Sequence, residues 1–131
     1  MPTRIKKRQI KEDVSTLDIP RERWGEFLET FSRQHHGWIV YVETYDRVTG
    51  ENVVSRETPL ESVALDLEEE KNPRINVIVQ LDNKVIKHIL FLPSRLVLES
   101  SGDGQKQSLR IETVNTDSTI HFRTSPPLPS P

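Results

Sequence analysis

The sequence predicts a mainly β (α+β) fold, with an N-terminal helix packed on a small antiparallel β-meander closed into a barrel or roll. Three observations predict it. Apolar residues recur at helical spacing between Pro20 and Gln34, the period changes to two from Trp38 onward, and short polar turns then separate strand-like runs. A sheet of this kind must hide its apolar face by curling or by lying under the helix, in the manner of Sm-like and SH3-like folds by analogy.

The helix is expected from about Pro20 to Gln34. Pro20 suits a first turn because its φ is already near the helical value, and Glu22 complements the positive helix end. Trp24, Phe27, Leu28 and Phe31 fall at i, i+3, i+4 and i+7, which puts four large apolar groups on one stripe, with Glu26, Glu29 and Arg33 on the other side. Gly25 weakens the helix slightly. Gly37 supplies the left-handed stop, with Arg33, His35 and His36 near the negative carbonyl end.

Strand segments are expected near residues 38–45, 52–56 leading through Pro59 into 63–67, 74–81, 85–91, 95–99, 109–114 and 119–123, about six strands once adjoining segments merge. Ile75, Val77, Val79 and Leu81 face one way and Asn76 and Gln80 the other; Leu109 with Ile111, and Ile120 with Phe122, repeat the pattern. Thr49-Gly50, Asp82-Asn83, Ser101 to Gly104 and Asn115 to Asp117 are short polar connections that predict hairpin neighbours.

A length of 131 residues fits one domain, and 34% hydrophobic against 29% charged residues fits a thin core with much surface. Residues 1–18 read as a flexible basic arm, 19–125 as the domain, and 126–131 as a disordered proline-rich tail. The net charge of -2 divides into a local +2 over residues 1–18 and -4 over the rest, which argues against a duplex-binding surface on the domain itself. The absence of cysteine excludes disulfides, thiolate metal sites and cysteine nucleophiles. No apolar run approaches the ~20 residues of a membrane span, and none follows the basic N-terminus, so a cytoplasmic protein without membrane contact is expected.

No catalytic set assembles in the sequence. There is no nucleophile elbow around Ser94 or Ser100; Gly102 and Gly104 lie between strands rather than opening a helix; and Asp66 with Glu68 to Glu70 reads as a solvated loop. His35 and His36 are adjacent and point apart, while His88 and His121 lack zinc spacing, so no metal and no cofactor is expected. What remains is a surface: Arg110, His121 and Arg123 alternate with apolar residues on the last two strands and would form a small basic patch, with Lys87 or His88 nearby and Glu112 partly cancelling it.

Ile19 to Trp24, then Phe27, Phe31-Ser32-Arg33-Gln34-His35, Gly37 and Trp38, followed by Pro93 to Glu99 and His121-Phe122-Arg123, resemble a bacterial domain-of-unknown-function family of short proteins, family 5335. The resemblance covers Ile19 to about Ser125 and implies a bacterial, cytoplasmic protein, with no activity or catalytic residue to carry over. Packing accounts for its aromatics and Gly37 but not for Arg33 and His35. The function expected is a non-enzymatic binding or adaptor module acting through an unknown protein partner or self-association. The alternative is binding of single-stranded RNA or a small anionic nucleotide through the basic strand face or the arm. A hydrolase using His35 or His121 would need a carboxylate converging on it in a pocket.

Overall fold

A computed structural model describes residues 14–69, 71–101 and 107–123. In chain order the elements are β1 (Val14–Asp18), a 3-10 turn (Arg21–Arg23), α1 (Trp24–His35), β2 (Ile39–Asp46), β3 (Asn52–Val54), β4 (Thr58–Asp66), β5 (Arg74–Leu81), β6 (Lys84–Phe91), β7 (Arg95–Ser101), β8 (Gln107–Glu112) and β9 (Thr116–Phe122). The nine strands form one antiparallel sheet in the order β1-β7-β8-β9-β2-β4-β5-β6, with β3 on β2.

Two meanders make up this sheet, β4-β5-β6 and β7-β8-β9, and β2 joins them by pairing with β9 along its length and with β4 at Ile39–Pro59 and Val40–Thr58. The inner rows are apolar wherever the alternation predicts it. Val40 and Val42 of β2 lie beside Phe122 and Ile120 of β9, Ile120 lies beside Leu109 of β8, and Ile111 of β8 with Ile75, Val77 and Val79 of β5 continue the same core. The register slips between Leu60 and Ser62, a bulge that keeps both Leu60 and Val63 turned inward.

The expected closure into a barrel or roll does not occur. β1 and β6 are the two ends of the sheet, and among the described residues no strand joins them. The reason lies in α1. Trp24, Leu28, Phe31 and His35 bury against the inner face, so the helix supplies the cover that closure would have provided. Beyond Pro59 the edge of β4 turns away from β2, and α1 takes the place of the missing strand: the Ser32 hydroxyl donates to the Val63 carbonyl at 2.8 Å and accepts from the Val63 N–H at 2.7 Å. One serine thus satisfies both backbone groups that a neighbouring strand would have paired.

The helix starts later than expected. Pro20 is extended, Arg21 to Arg23 make a 3-10 turn with Arg23 N–H bonded to the Pro20 carbonyl at 2.9 Å, and α1 begins at Trp24. Gly37 has φ of 84°, the left-handed stop the sequence predicts. Its N–H bonds the Leu60 carbonyl at 2.7 Å, which ties the end of the helix to β4.

Val14–Asp18, placed by the sequence in the arm, is instead the edge strand β1, paired with β7 from Val14–Ser101 to Asp18–Val97. Asp18 and Arg95 clamp this edge with two hydrogen bonds of 2.9 Å each. The rest of the arm and the proline-rich tail lie outside the described residues.

Candidate functional site

The five residues singled out from the sequence do not converge. Arg33 is exposed on α1, 3.9 Å from Glu29, and lines a groove of about 760 Å³ between α1 and β4 together with Gly25, Ser32 and His36. His35 points the other way into the core, 6% exposed. Its ring stacks on Phe31 at 4.2 Å and meets Phe122 at 4.8 Å and Trp38 at 5.0 Å. Its Nδ1–H donates to the Phe31 carbonyl at 2.9 Å, and Nε2 lies 3.2 Å from the Gln107 side-chain amide. Packing therefore does account for His35: it is an aromatic-core member with both nitrogens engaged.

Arg110, His121 and Arg123 lie on the outer side of the sheet, but each faces a carboxylate. Arg110 sits between Glu99 and Glu112, with its Nε 3.1 Å from Glu112. Arg95 reaches the same Glu112 at 3.2 Å and Asp18 at 2.9 Å. The chain Asp18–Arg95–Glu112–Arg110–Glu99 alternates in sign across β1, β7 and β8 and holds more acids than bases. Hydrogen bonding from Arg95 holds the Asp18 carboxyl below its usual range, and Asp18 raises Arg95 in return.

His121 stacks on Tyr41 at 4.7 Å and bonds Glu43 at 2.9 Å, and Arg123 is 3.8 Å from Glu57. Glu43 is held below the usual carboxylate range, first by the hydrogen bond from Asn52 and then by that from His121. Lys87 and His88, expected beside this patch, stand on β6 at the far end of the sheet. The surface is a neutralised ion-pair lattice rather than a basic face. Among the described residues, no group of three or more His, Cys, Asp or Glu could hold a metal ion.

Sequence reasoning missed a different feature. β6 is an edge strand of eight residues, Lys84–Phe91, and among the described residues it pairs with β5 alone. Its outer row leaves Val85 57%, Ile89 41% and Phe91 55% exposed, and Leu92 beyond it is 44% exposed. Arg74 lies over the Phe91 ring at 5.9 Å, and beneath the same face Asn76 Oδ1 and Arg74 Nε are buried without a hydrogen-bond partner. Exposed apolar residues in a row along an open edge are what most proteins avoid. The signal was in the sequence: Val85, Ile86, Ile89, Leu90 and Phe91 are apolar at both parities, whereas a one-sided edge strand needs only one apolar face.

Leu92 adds strain to exposure. Its φ is 54°, in the left-handed region, which costs an ordinary side chain about 1–2 kcal/mol. Leu92→Gly is expected to raise stability by about 1 kcal/mol, read as a higher urea midpoint at unchanged slope; a lower midpoint would show that contacts of the leucine outweigh the strain.

The fold and these surfaces together define a mainly-β protein that, among the described residues, has one α-helix on an open antiparallel sheet, whose outward features are an ion-pair lattice at one end and an apolar edge at the other. The chain belongs to a family of unknown function, DUF5335, whose model matches residues 15–131. That match takes in most of β1, which the resemblance had left outside. No curated protein and no solved structure matches the chain significantly. Among the described residues, no helix is long and apolar enough to cross a membrane.

Proposed function

We propose that this protein is a non-enzymatic binding or adaptor module that acts through protein contacts, with β6 and the apolar row beside it as its docking element. The observation that carries the reading is the open β6 edge flanked by exposed Val85, Ile89, Phe91 and Leu92. An added strand would gain main-chain hydrogen bonds from the edge and side-chain contacts from the row, the two ingredients of strand-addition recognition.

The alternative, single-stranded RNA or a small anionic nucleotide, has no comparable support on the basic strand face, because Arg110 and Arg123 each face a neighbouring carboxylate and His121 is hydrogen-bonded to Glu43; most of the N-terminal arm lies outside the described residues. A hydrolase reading fares no better. His121 and Glu43 are within hydrogen-bond reach, but they stand on the outer face of the sheet, and neither lines the α1–β4 groove.

A photo-crosslinking residue placed at Phe91 in the full chain, in its own host, tests the reading. Light-dependent covalent adducts to polypeptide are expected from position 91 and not from Tyr45, an exposed aromatic on β2. Equal labelling from both positions, or none from either, would overturn it.

A further inference from the structure

We propose that the occupant of the β6 edge is a second copy of this chain, whose own β6 pairs antiparallel with it about a two-fold axis through His88. This rests on the reading of β6 as the docking element and goes beyond it by naming the partner.

The argument begins with the direction of the backbone groups. Leu92 N–H bonds the Pro73 carbonyl at 2.9 Å, which continues the ladder that pairs Arg74 with Phe91 and Ile75 with Leu90. In an antiparallel ladder such bonds fall on alternate residues, so the even-numbered residues of β6 turn their N–H and C=O toward β5. Val85, Lys87, Ile89 and Phe91 turn theirs to the open edge. Because the free groups sit on odd positions in both copies, hydrogen-bonded pairs must join odd to odd, and the paired residue numbers must add to an even total.

Few registers then remain, and side chains choose among them. Centring the axis on His88 sets Val85 opposite the partner's Phe91, Ile86 opposite the partner's Leu90 and Lys87 opposite the partner's Ile89. Every outward N–H and C=O of Val85, Lys87, Ile89 and Phe91 finds a mate; on the exposed face Val85 covers the partner's Phe91, and Lys87 lies against the partner's Ile89 with the two lysines diagonal rather than directly opposed. Centring it on Lys87 places that lysine against its own copy and leaves Phe91 opposite a turn residue, Asn83. Centring it on Ile89 leaves Val85 opposite Pro93, which has no N–H to give. Parallel in-register pairing stacks Lys84 on Lys84 and Lys87 on Lys87.

At the axis itself the His88 rings meet on the inner face, where partial burial already lowers the His88 pKa, so the pair adds no charge repulsion at neutral pH. The arrangement is isologous and closes on itself, which converts an edge open to unlimited pairing into a finite dimer.

The absence of native cysteine makes the register directly testable. Light scattering of the full chain is expected to give twice the 15.2 kDa chain mass. Lys87→Pro removes an N–H that points away from β5, so it spares the fold while weakening the dimer roughly tenfold or more. Residues facing each other as a non-hydrogen-bonded antiparallel pair lie about 4.5 Å apart at Cα, within disulfide range. Mild oxidation of His88→Cys should therefore give a covalent dimer much faster than Val85→Cys.

A monomer at every concentration overturns the proposal while leaving the docking reading standing if position 91 still crosslinks to a polypeptide of another mass. A dimer indifferent to Lys87→Pro, or one that links faster through Val85→Cys or Lys87→Cys, overturns it too. The scattering measurement and Lys87→Pro keep the test decisive even if His88→Cys fails to fold.

Discussion

Phe31→Ala is expected to cost about 3–5 kcal/mol, the range for deleting a large aromatic from a packed core. Phe31 is 3% exposed and packs on three rings, stacked on Phe27 at 5.6 Å and His35 at 4.2 Å within its own helix and edge-on to Phe122 of β9 at 5.4 Å, the contact that joins helix to sheet. Its loss removes dispersion contacts on every side, and the sheet cannot collapse into the space, because the backbone on both sides is held by α1 and by β9. Domains of this size are stable by only about 5–15 kcal/mol, so the loss is a large share of the total. Phe27→Ala, half-buried at the margin of the same stripe, serves as the comparison and should cost clearly less. Equal losses in urea unfolding would mean that the stripe does not have the one-sided burial described.

Ser32→Ala should cost about 2 kcal/mol, a large effect for deleting one hydroxyl. The hydroxyl answers both the N–H and the C=O of Val63, so its removal leaves two backbone groups unpaired at once where helix and strand meet. The open groove beside it admits water, which keeps the loss below that of two fully buried orphans. Ser32→Thr keeps the hydroxyl and should recover most of the stability. Hydrogen exchange gives a second readout: the Val63 amide should lose protection in Ser32→Ala and retain it in Ser32→Thr. Unchanged exchange in Ser32→Ala would show that the serine is not the partner of that edge.

Local elements were legible wherever one residue pattern met one physical need. The stripe Trp24, Leu28, Phe31 is buried as its spacing requires, and β5 occupies Arg74–Leu81, the span its alternation marks out. Asp82-Asn83 does make the tight turn between β5 and β6, with Asp82 at φ of 58°. The long-range features were not legible. Val14–Asp18 is short and mostly polar; what makes it a strand is the edge of β7, which no local pattern reveals. Sheet closure failed for a similar reason: Ser32 looks like an ordinary polar helix residue until Val63 is beside it, and the register of β4 decides that.

The candidate site divides the same way. Alternation correctly put Arg110 and His121 on the outer side, but both meet carboxylates from other strands, Arg110 pairing with Glu99 on β7 and His121 hydrogen-bonding Glu43 on β2. A linear reading saw Glu112 and not the others. Arg33 and His35, two positions apart in the signature, part company because one points to the groove and the other to the core.

The place of β9 carries a consequence for how the chain is made. The last described strand lies in the middle of the sheet, and the first strand after the helix, β2, is paired along most of its length with β9. During synthesis, Val40 and Val42 cannot be covered on that side until Ile120 and Phe122 have left the ribosome, although nearly all of the intervening chain is already available. Closing a loop of that span precedes any reward from the contacts it brings, which places this protein among slow, late-committing folders. The hairpin of β5 and β6 needs no such wait, since a two-residue turn joins its strands. The apolar edge of β6 is therefore among the first pieces of structure able to form and the one left uncovered longest, so the period before β9 arrives is when nascent chains are most exposed to one another.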